Sequence, residues 1–167
     1  TPPPQPELVA PPGQVVVVEY FHAGFGHYFI TAQADEIAAL DAGAFAGWAR
    51  TGYFFWAWPT SANVPGLVDV CRFFTVAFAP KSSHFYTANA AECAAVKQNP
   101  NWIYEKLAFK VALPNAALEC AEFDERRLYR LYNSGLTGAP NHRYTTSPAT
   151  RADMLALQAG ETGTLRV

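Results

Sequence analysis

Hydrophobic and polar positions alternate along this chain in short blocks, and the blocks recur in the same order. Val15 to Phe21 is a β-branched and aromatic run and reads as a strand. His22 to Gly26 holds two glycines and makes a turn, and His27 to Thr31 returns as a second strand. From Gln33 to Leu40 the period becomes helical. Ile37 and Leu40 stand at i and i+3, while Asp35 and Glu36 suit the positive end of the helix. After Asp41, Ala42 and Gly43, Trp48 to Trp58 reads as a long third strand, closed by Pro59.

The order then repeats. Val70 to Phe74 and His84 to Thr87 form a hairpin around a loop with Pro80 and two serines. Asn89 followed by Glu92 is a capping box that opens a helix with Cys93 and Val96 inward. Trp102 takes the place of Trp48, and Leu107 to Leu113 is the third strand. A last set begins at Leu128 to Tyr132 and returns at His142 to Thr146. Ser147 as N-cap and Pro148 at the first helical position start the final helix, with Met154 and Leu157 inward. Gly163 to Val167 is too short for a full strand, so the third unit reads as incomplete.

His27, His84 and His142 mark the period, lying 57 and 58 residues apart within stretches that end in threonine. One strand-strand-helix unit cannot bury both its sheet face and its helix stripe. The expected fold is therefore α+β and antiparallel-rich, with three pseudo-symmetric strand-strand-helix-strand repeats around a shared core. The repeats span about 15–60, 67–114 and 127–167, in one domain over 15–167. Residues 1–14 carry six of the thirteen prolines and read as a stiff tether or disordered tail. The opening Thr1, Pro2 and Pro3 reads as a mature or excised start.

Composition sharpens this picture. With 14% aromatic and 16% charged residues, the core is expected to be built from rings packed across strands. A net charge of −2 without a basic stripe argues against nucleic acid as a partner. No apolar run has the ~20 residues of a membrane span.

The stretch Tyr28-Phe29-Ile30-Thr31 with Asp35 to Gly43, then Cys71-Arg72-Phe73-Phe74, His84-Phe85-Tyr86-Thr87 and Ala91 to Val96, and finally Asn141 to Thr146, resembles an HFYT-type repeat family. That family is a domain of unknown function common in exported bacterial proteins, and the resemblance covers about residues 16–158. It implies a secreted or periplasmic accessory domain without an assigned activity. Family members often carry a further cysteine at the end, which this chain lacks.

Four groups of residues are candidates for chemistry. Converging on an axis, the three histidines have the chemistry of metal ligands. Their recurrence favours a structural role instead, each bridging its hairpin to the next unit beside Trp48 and Trp102, so neither metal nor cofactor is expected. His22 stands alone in a loop and carries little. The third strands differ more informatively. Phe55 and Ala57 match Phe109 and Val111 on the core face, whereas Phe54, Trp56 and Trp58 stand where the second unit has Ala108, Lys110 and Ala112. Three large aromatics at alternate positions, spaced by about 6.7 Å, form the expected binding face.

Cys71 and Cys93 replace the apolar Val18 and Ile37, so a Cys71–Cys93 disulfide is the expected bridge, worth roughly 3 kcal/mol in the chain-entropy model. Cys93–Cys120 is the alternative pairing. The run from Glu119 to Arg127 reads as a solvated connection, and Ser82 and Ser83 beside His84 do not amount to a catalytic dyad.

The expected function is an extracellular or periplasmic non-catalytic module that binds a polysaccharide or a partner protein. A structural subunit of a surface assembly is the second reading. An enzyme with a site assembled between repeats is a distant third.

Overall fold

The valine run folds as β1 (Val15–His22), flanked by β2 (His27–Thr31) and β3 (Trp48–Ala57) in an antiparallel sheet of order β2-β1-β3, with α1 (Ala34–Asp41) between the last two in sequence. This computed structural model describes residues 8–117, 119–120 and 126–159. A second antiparallel sheet, of order β5-β4-β6, is made by β4 (Leu67–Thr75), β5 (Ser83–Thr87) and β6 (Ile103–Ala112), with α2 (Ala90–Val96) between β5 and β6. A two-stranded ladder of β7 (Tyr129–Tyr132) and β8 (His142–Thr145) follows, then α3 (Pro148–Ala159). The two larger sheets meet at one bridge, where Trp58 and Lys110 exchange backbone hydrogen bonds of 3.1 and 2.8 Å.

A threonine ends β2, β5 and β8 and turns the chain into the helix that follows each. Thr31, Thr87 and Thr145 accept the backbone N–H of Gln33, Asn89 and Ser147 through Oγ1 at 3.0 to 3.1 Å. The first two also donate to a glutamate in the following helix, Glu36 and Glu92. Asn89 caps α2 by accepting from the Glu92 N–H at 2.9 Å, but the Glu92 side chain does not close the capping box. It is drawn instead to Thr87 and Arg130, because an ionised partner outcompetes a backbone amide.

The main core draws on all three sheets, with Val17, Tyr20, Ile30, Tyr86, Phe109 and Tyr144 among its members, and Leu8 and Ile37 pack against it. Two tyrosines satisfy the buried backbone there. The Tyr86 hydroxyl donates to the Ile30 carbonyl, and the Tyr144 hydroxyl donates to the Tyr86 carbonyl at 2.9 Å while accepting its N–H at 2.8 Å. A smaller core holds Phe73, Phe85 and the Cys71–Cys93 disulfide, with Val96 and Trp102 packed on it. Cys120 is a free, half-buried thiol.

Three bidentate ion pairs join the sheets. Arg72 on β4 grips Glu36 of α1 with two bonds of 2.7 Å, and Arg130 on β7 grips Glu92 of α2 at 2.7 and 3.2 Å. Arg143 on β8 reaches back to Glu19 on β1 with two bonds of 2.9 Å, and Thr51 donates to the same carboxylate at 2.7 Å.

Several boundaries differ from expectation. The strand expected from Leu107 starts at Ile103, because Glu105, at a register shift, and Lys106, in the ladder, are strand residues whose charges face Arg72 and Glu36. Strand β3 ends at Ala57, one residue before Trp58. His22 is the last residue of β1, not a loop residue. The short strand expected at Gly163 to Val167, the middle of the Glu119 to Arg127 run and the first prolines lie outside the described residues.

The Glu19–Arg143 pair gives the first testable outcome. Its side chains are 3% and 10% exposed, so neutralising one partner leaves a buried charge unpaired. Glu19→Gln is expected to cost about 3 kcal/mol in urea denaturation, and a Glu19→Leu/Arg143→Leu double variant to recover much of that loss. Losses that simply add would show that the two charges do not depend on each other.

Candidate functional site

Strand β3 lies at the edge of its sheet, and alternation splits its aromatics. Phe55 packs against Phe109 with centroids 5.9 Å apart, and Ala57 is buried. Phe54 and Trp56 point the other way and are 40% and 44% exposed. Their rings lie 6.3 Å apart at 59°, so they form a bent pair and not a flat platform. Trp58 is half-buried and holds the bridge to Lys110, whose ammonium donates to the Ala62 carbonyl at 3.0 Å. The third member of the expected stripe is therefore a joint between sheets. Nearby, Tyr53 accepts from the Thr150 hydroxyl at 3.0 Å, with the Arg143 guanidinium 5.3 Å from its ring centroid.

The histidines do not occupy one equivalent position. Counted back from the threonine that ends each strand, His84 and His142 stand three residues away and His27 four. A shift of one residue turns a side chain to the other face of a strand. His27 is buried, and its Nδ1 lies 2.7 Å from the Ser82 carbonyl on the second hairpin. His84 sits between Phe74 of its own sheet and Phe29 of the first, with centroids at 4.9 and 4.4 Å. His142 sits likewise between Tyr132 and Phe85, at 4.6 and 4.9 Å. His84 and His142 are thus rings in aromatic sandwiches between sheets, whereas His27 is held by a hydrogen bond. Among the described residues no three His, Cys, Asp or Glu side chains come together as a metal set.

Burial governs their charge. Desolvation, then the nearby Arg72, pushes His84 down to about 3, and desolvation with Arg130 does the same to His142. Glu105 comes within 3.5 Å of His84, but the imidazole stays neutral and no ion pair forms. Burial opposes ionisation of Glu36 too, but the Arg72 hydrogen bonds with those of Thr31 and Lys106 outweigh it and leave that carboxyl at about 2.

A pocket of about 480 Å³ opens between the second sheet with its helix and the β7–β8 hairpin. Phe85, Trp102, Tyr132 and His142 give it aromatic walls, and Asn99 and Asn101 give it carboxamides. The sequence reading included Trp102 and His142 for structural reasons and missed the asparagines. The signal that would have revealed them is a comparison of Asn101 with Gly47, each one residue before its tryptophan.

His22 needs a different account from the one expected. Its ring stacks on Phe25 at 3.7 Å and meets Trp48 edge-on at 5.3 Å, and its Nδ1 accepts the Phe25 N–H at 3.1 Å. Gly47 makes room for it: a Cβ there would fall 2.3 Å from His22 Nε2.

The depressed histidines set a pH dependence with a definite sign. In the unfolded chain both protonate near their usual 6.5, whereas the folded protein resists protonation down to about 3. Between those values the unfolded state binds more protons. Stability is therefore fully present above about pH 6.5 and falls as pH drops toward 3, by up to about 1.4 kcal/mol per pH unit for each group. Below its ordinary 4.5, Glu36 adds to the loss as its folded value of about 2 is approached. Urea denaturation between about pH 7 and about pH 5 should show this slope, and His142→Phe should make it shallower; equal slopes would place His142 outside the effect.

Comparison with known proteins bears on the family alone. No curated protein and no solved structure matches the chain. Residues 6–112 match the family described as Domain of unknown function (DUF5648), a span that ends with the last residue of β6 and leaves the β7–β8 hairpin outside it. Since this match takes in both three-stranded sheets and more than half of the sequence, the chain belongs to the DUF5648 family of domains of unknown function.

Proposed function

We propose that this protein is an exported, non-catalytic accessory module that binds a polymer, carbohydrate in the first instance, through the exposed aromatics of β3. The observation that carries the reading is the exposure of Phe54 and Trp56 at alternate positions of an edge strand. Phe45, Tyr53, Phe78 and Tyr104 are exposed as well, but Phe54 and Trp56 put two adjacent large rings on one face of a strand, and such a patch left to solvent is a cost without a ligand. Apolar ring faces stack on the C–H faces of sugars, and neither ring needs a charged partner. A buried disulfide fits folding in an oxidising compartment, which supports export.

The same proposal includes the architecture. The module is read as three strand-strand-helix units, the first two with a third strand, arranged around a common core. Support comes from matched roles: Thr31, Thr87 and Thr145 at the strand ends, Arg72 and Arg130 gripping the preceding helix, and Tyr86 and Tyr144 reaching β2 and β5.

A structural subunit of a surface assembly is the second reading, and one observation favours it. The 59° tilt between Phe54 and Trp56 suits an irregular protein surface better than a flat sugar chain, and Ile103, Tyr104 and Leu107 of β6 are exposed as well.

Pull-down on insoluble polysaccharides separates the two. Phe54→Ala/Trp56→Ala should abolish retention by the polymer while the protein still unfolds cooperatively, with a loss of about 1–2 kcal/mol because each ring is partly covered. Retention that survives the double substitution removes this face as the site. Absence of retention by the unaltered protein across the panel would leave the assembly reading.

A further inference from the structure

We infer that the pocket beside Trp102 is a second ligand site, built for one neutral hexopyranose ring. It shares the ligand class with the reading above but none of the residues, so the two can fail separately.

The first sheet shows what such a place looks like when it is filled. Trp48 and Phe29 stand 6.0 Å apart there, and Trp102 and Phe85 stand 5.9 Å apart in the second sheet, so the two frames match. In the first frame the His22 imidazole fills the space, held against Gly47, Phe25 and Trp48. His22 is the residue of β1 opposite the first residue of β2; the residue of β4 opposite the first residue of β5 is Thr75. Thr75 carries no ring. At the other side of the frame, Asn101 replaces Gly47 immediately before the tryptophan. The second sheet thus lacks the built-in ring and gains a carboxamide at the spot where the first sheet has none.

The chemistry of the lining selects the ligand. Trp102, Phe85, Phe78, Tyr132 and His142 present ring surfaces, and among the described residues no Asp, Glu, Lys or Arg lines the pocket, so an ionic ligand finds no counter-charge there. Asn99 accepts the Asn101 N–H at 3.0 Å through Oδ1, which fixes the turn and leaves its amide nitrogen free to donate. The Asn101 carboxamide is exposed and has no hydrogen-bond partner among the described residues. Aromatic faces for C–H groups beside amides for hydroxyls match a neutral pyranose. A volume of about 480 Å³ holds one such ring with solvent to spare.

The test is titration of the unaltered protein with the methyl glycosides of glucose, galactose and mannose, followed by tryptophan fluorescence and by amide chemical shifts. One of them should bind with a dissociation constant on the order of 1 mM, the range open to a ligand of so few atoms. Asn101→Ala should weaken binding by about tenfold, the usual effect of losing a hydrogen bond of this kind. Phe54→Ala/Trp56→Ala should leave it unchanged. Thr75→His/Asn101→Gly, which rebuilds the filled frame of the first sheet, should abolish it; Asn101→Ala keeps the test decisive if the buried Thr75 position does not accept histidine. Saturation by none of the glycosides overturns the site, whatever the polymer pull-down shows. So does glycoside binding that is indifferent to Asn101→Ala, or saturation by indole when the glycosides fail.

Discussion

A buried charge must find its counter-charge, and in this fold Arg50 finds it within the first sheet and its helix, at Asp41, whereas Arg72, Arg130 and Arg143 reach across to another sheet or its helix. None of these last three pairs closes within its own strand-strand-helix segment. Arg72 reaches from the second segment to Glu36 of the first, and Arg130 from the third to Glu92 of the second. The closing pair runs between the first and third segments with its polarity reversed, because Glu19 stands at the register position of Arg72 and Arg130. The two-stranded β7–β8 ladder buries too little on its own to be independently stable. The segments therefore depend on one another, and a guanidinium that met the wrong neighbour would be left without a partner in a place where that is costly. The reversed pair also distinguishes the closing junction from the other two, which favours one order of segments over its alternatives.

The same junctions place the rings. Arg72 and Arg130 sit 5.6 and 5.2 Å from the centroids of Phe29 and Phe85, which in turn touch His84 and His142. At the closing junction Arg143 takes the position of those phenylalanines and lies 4.2 Å from the Tyr28 centroid. A neutral imidazole suits a site between an aromatic ring and a guanidinium because it is flat and need not compete for the carboxylate. Burial in that place, with the guanidinium beside it, is what holds His84 and His142 far below their usual protonation range.

Much of the element order was legible because it rests on local signals: β-branched runs, glycine turns, caps, and the helical spacing of Ile37 and Leu40. The disulfide was legible for a similar reason, since Cys71 and Cys93 occupy positions that are apolar in the first unit, where Val18 belongs to the main core and Ile37 packs against it. What was hidden depends on partners far apart in sequence. Nothing local links Glu19 to Arg143, or marks Glu105 and Lys106 as strand residues when their charges are neutralised only in the fold. The histidine period misled by one residue, because the eye aligns on the rarer residue whereas the backbone aligns on the threonine hook. Trp58 looked equivalent to Trp56 by alternation alone, and alternation does not report that β3 stops at Ala57 and hands Trp58 to the next sheet.

The disulfide acquires a purpose from its position. Cys71 and Cys93 cluster with Phe73 and Phe85, and Trp102 packs on that cluster, so the covalent link lies directly behind two walls of the pocket. The corresponding pair in the first sheet, Val18 and Ile37, is apolar, and there the His22 ring packs on Trp48 and Phe25 in the space that the second sheet leaves open. An open pocket loses those contacts and must recover rigidity elsewhere. Cross-linking the strand and helix behind its walls does so without occupying the space in front of them, the arrangement that the sugar site we infer calls for.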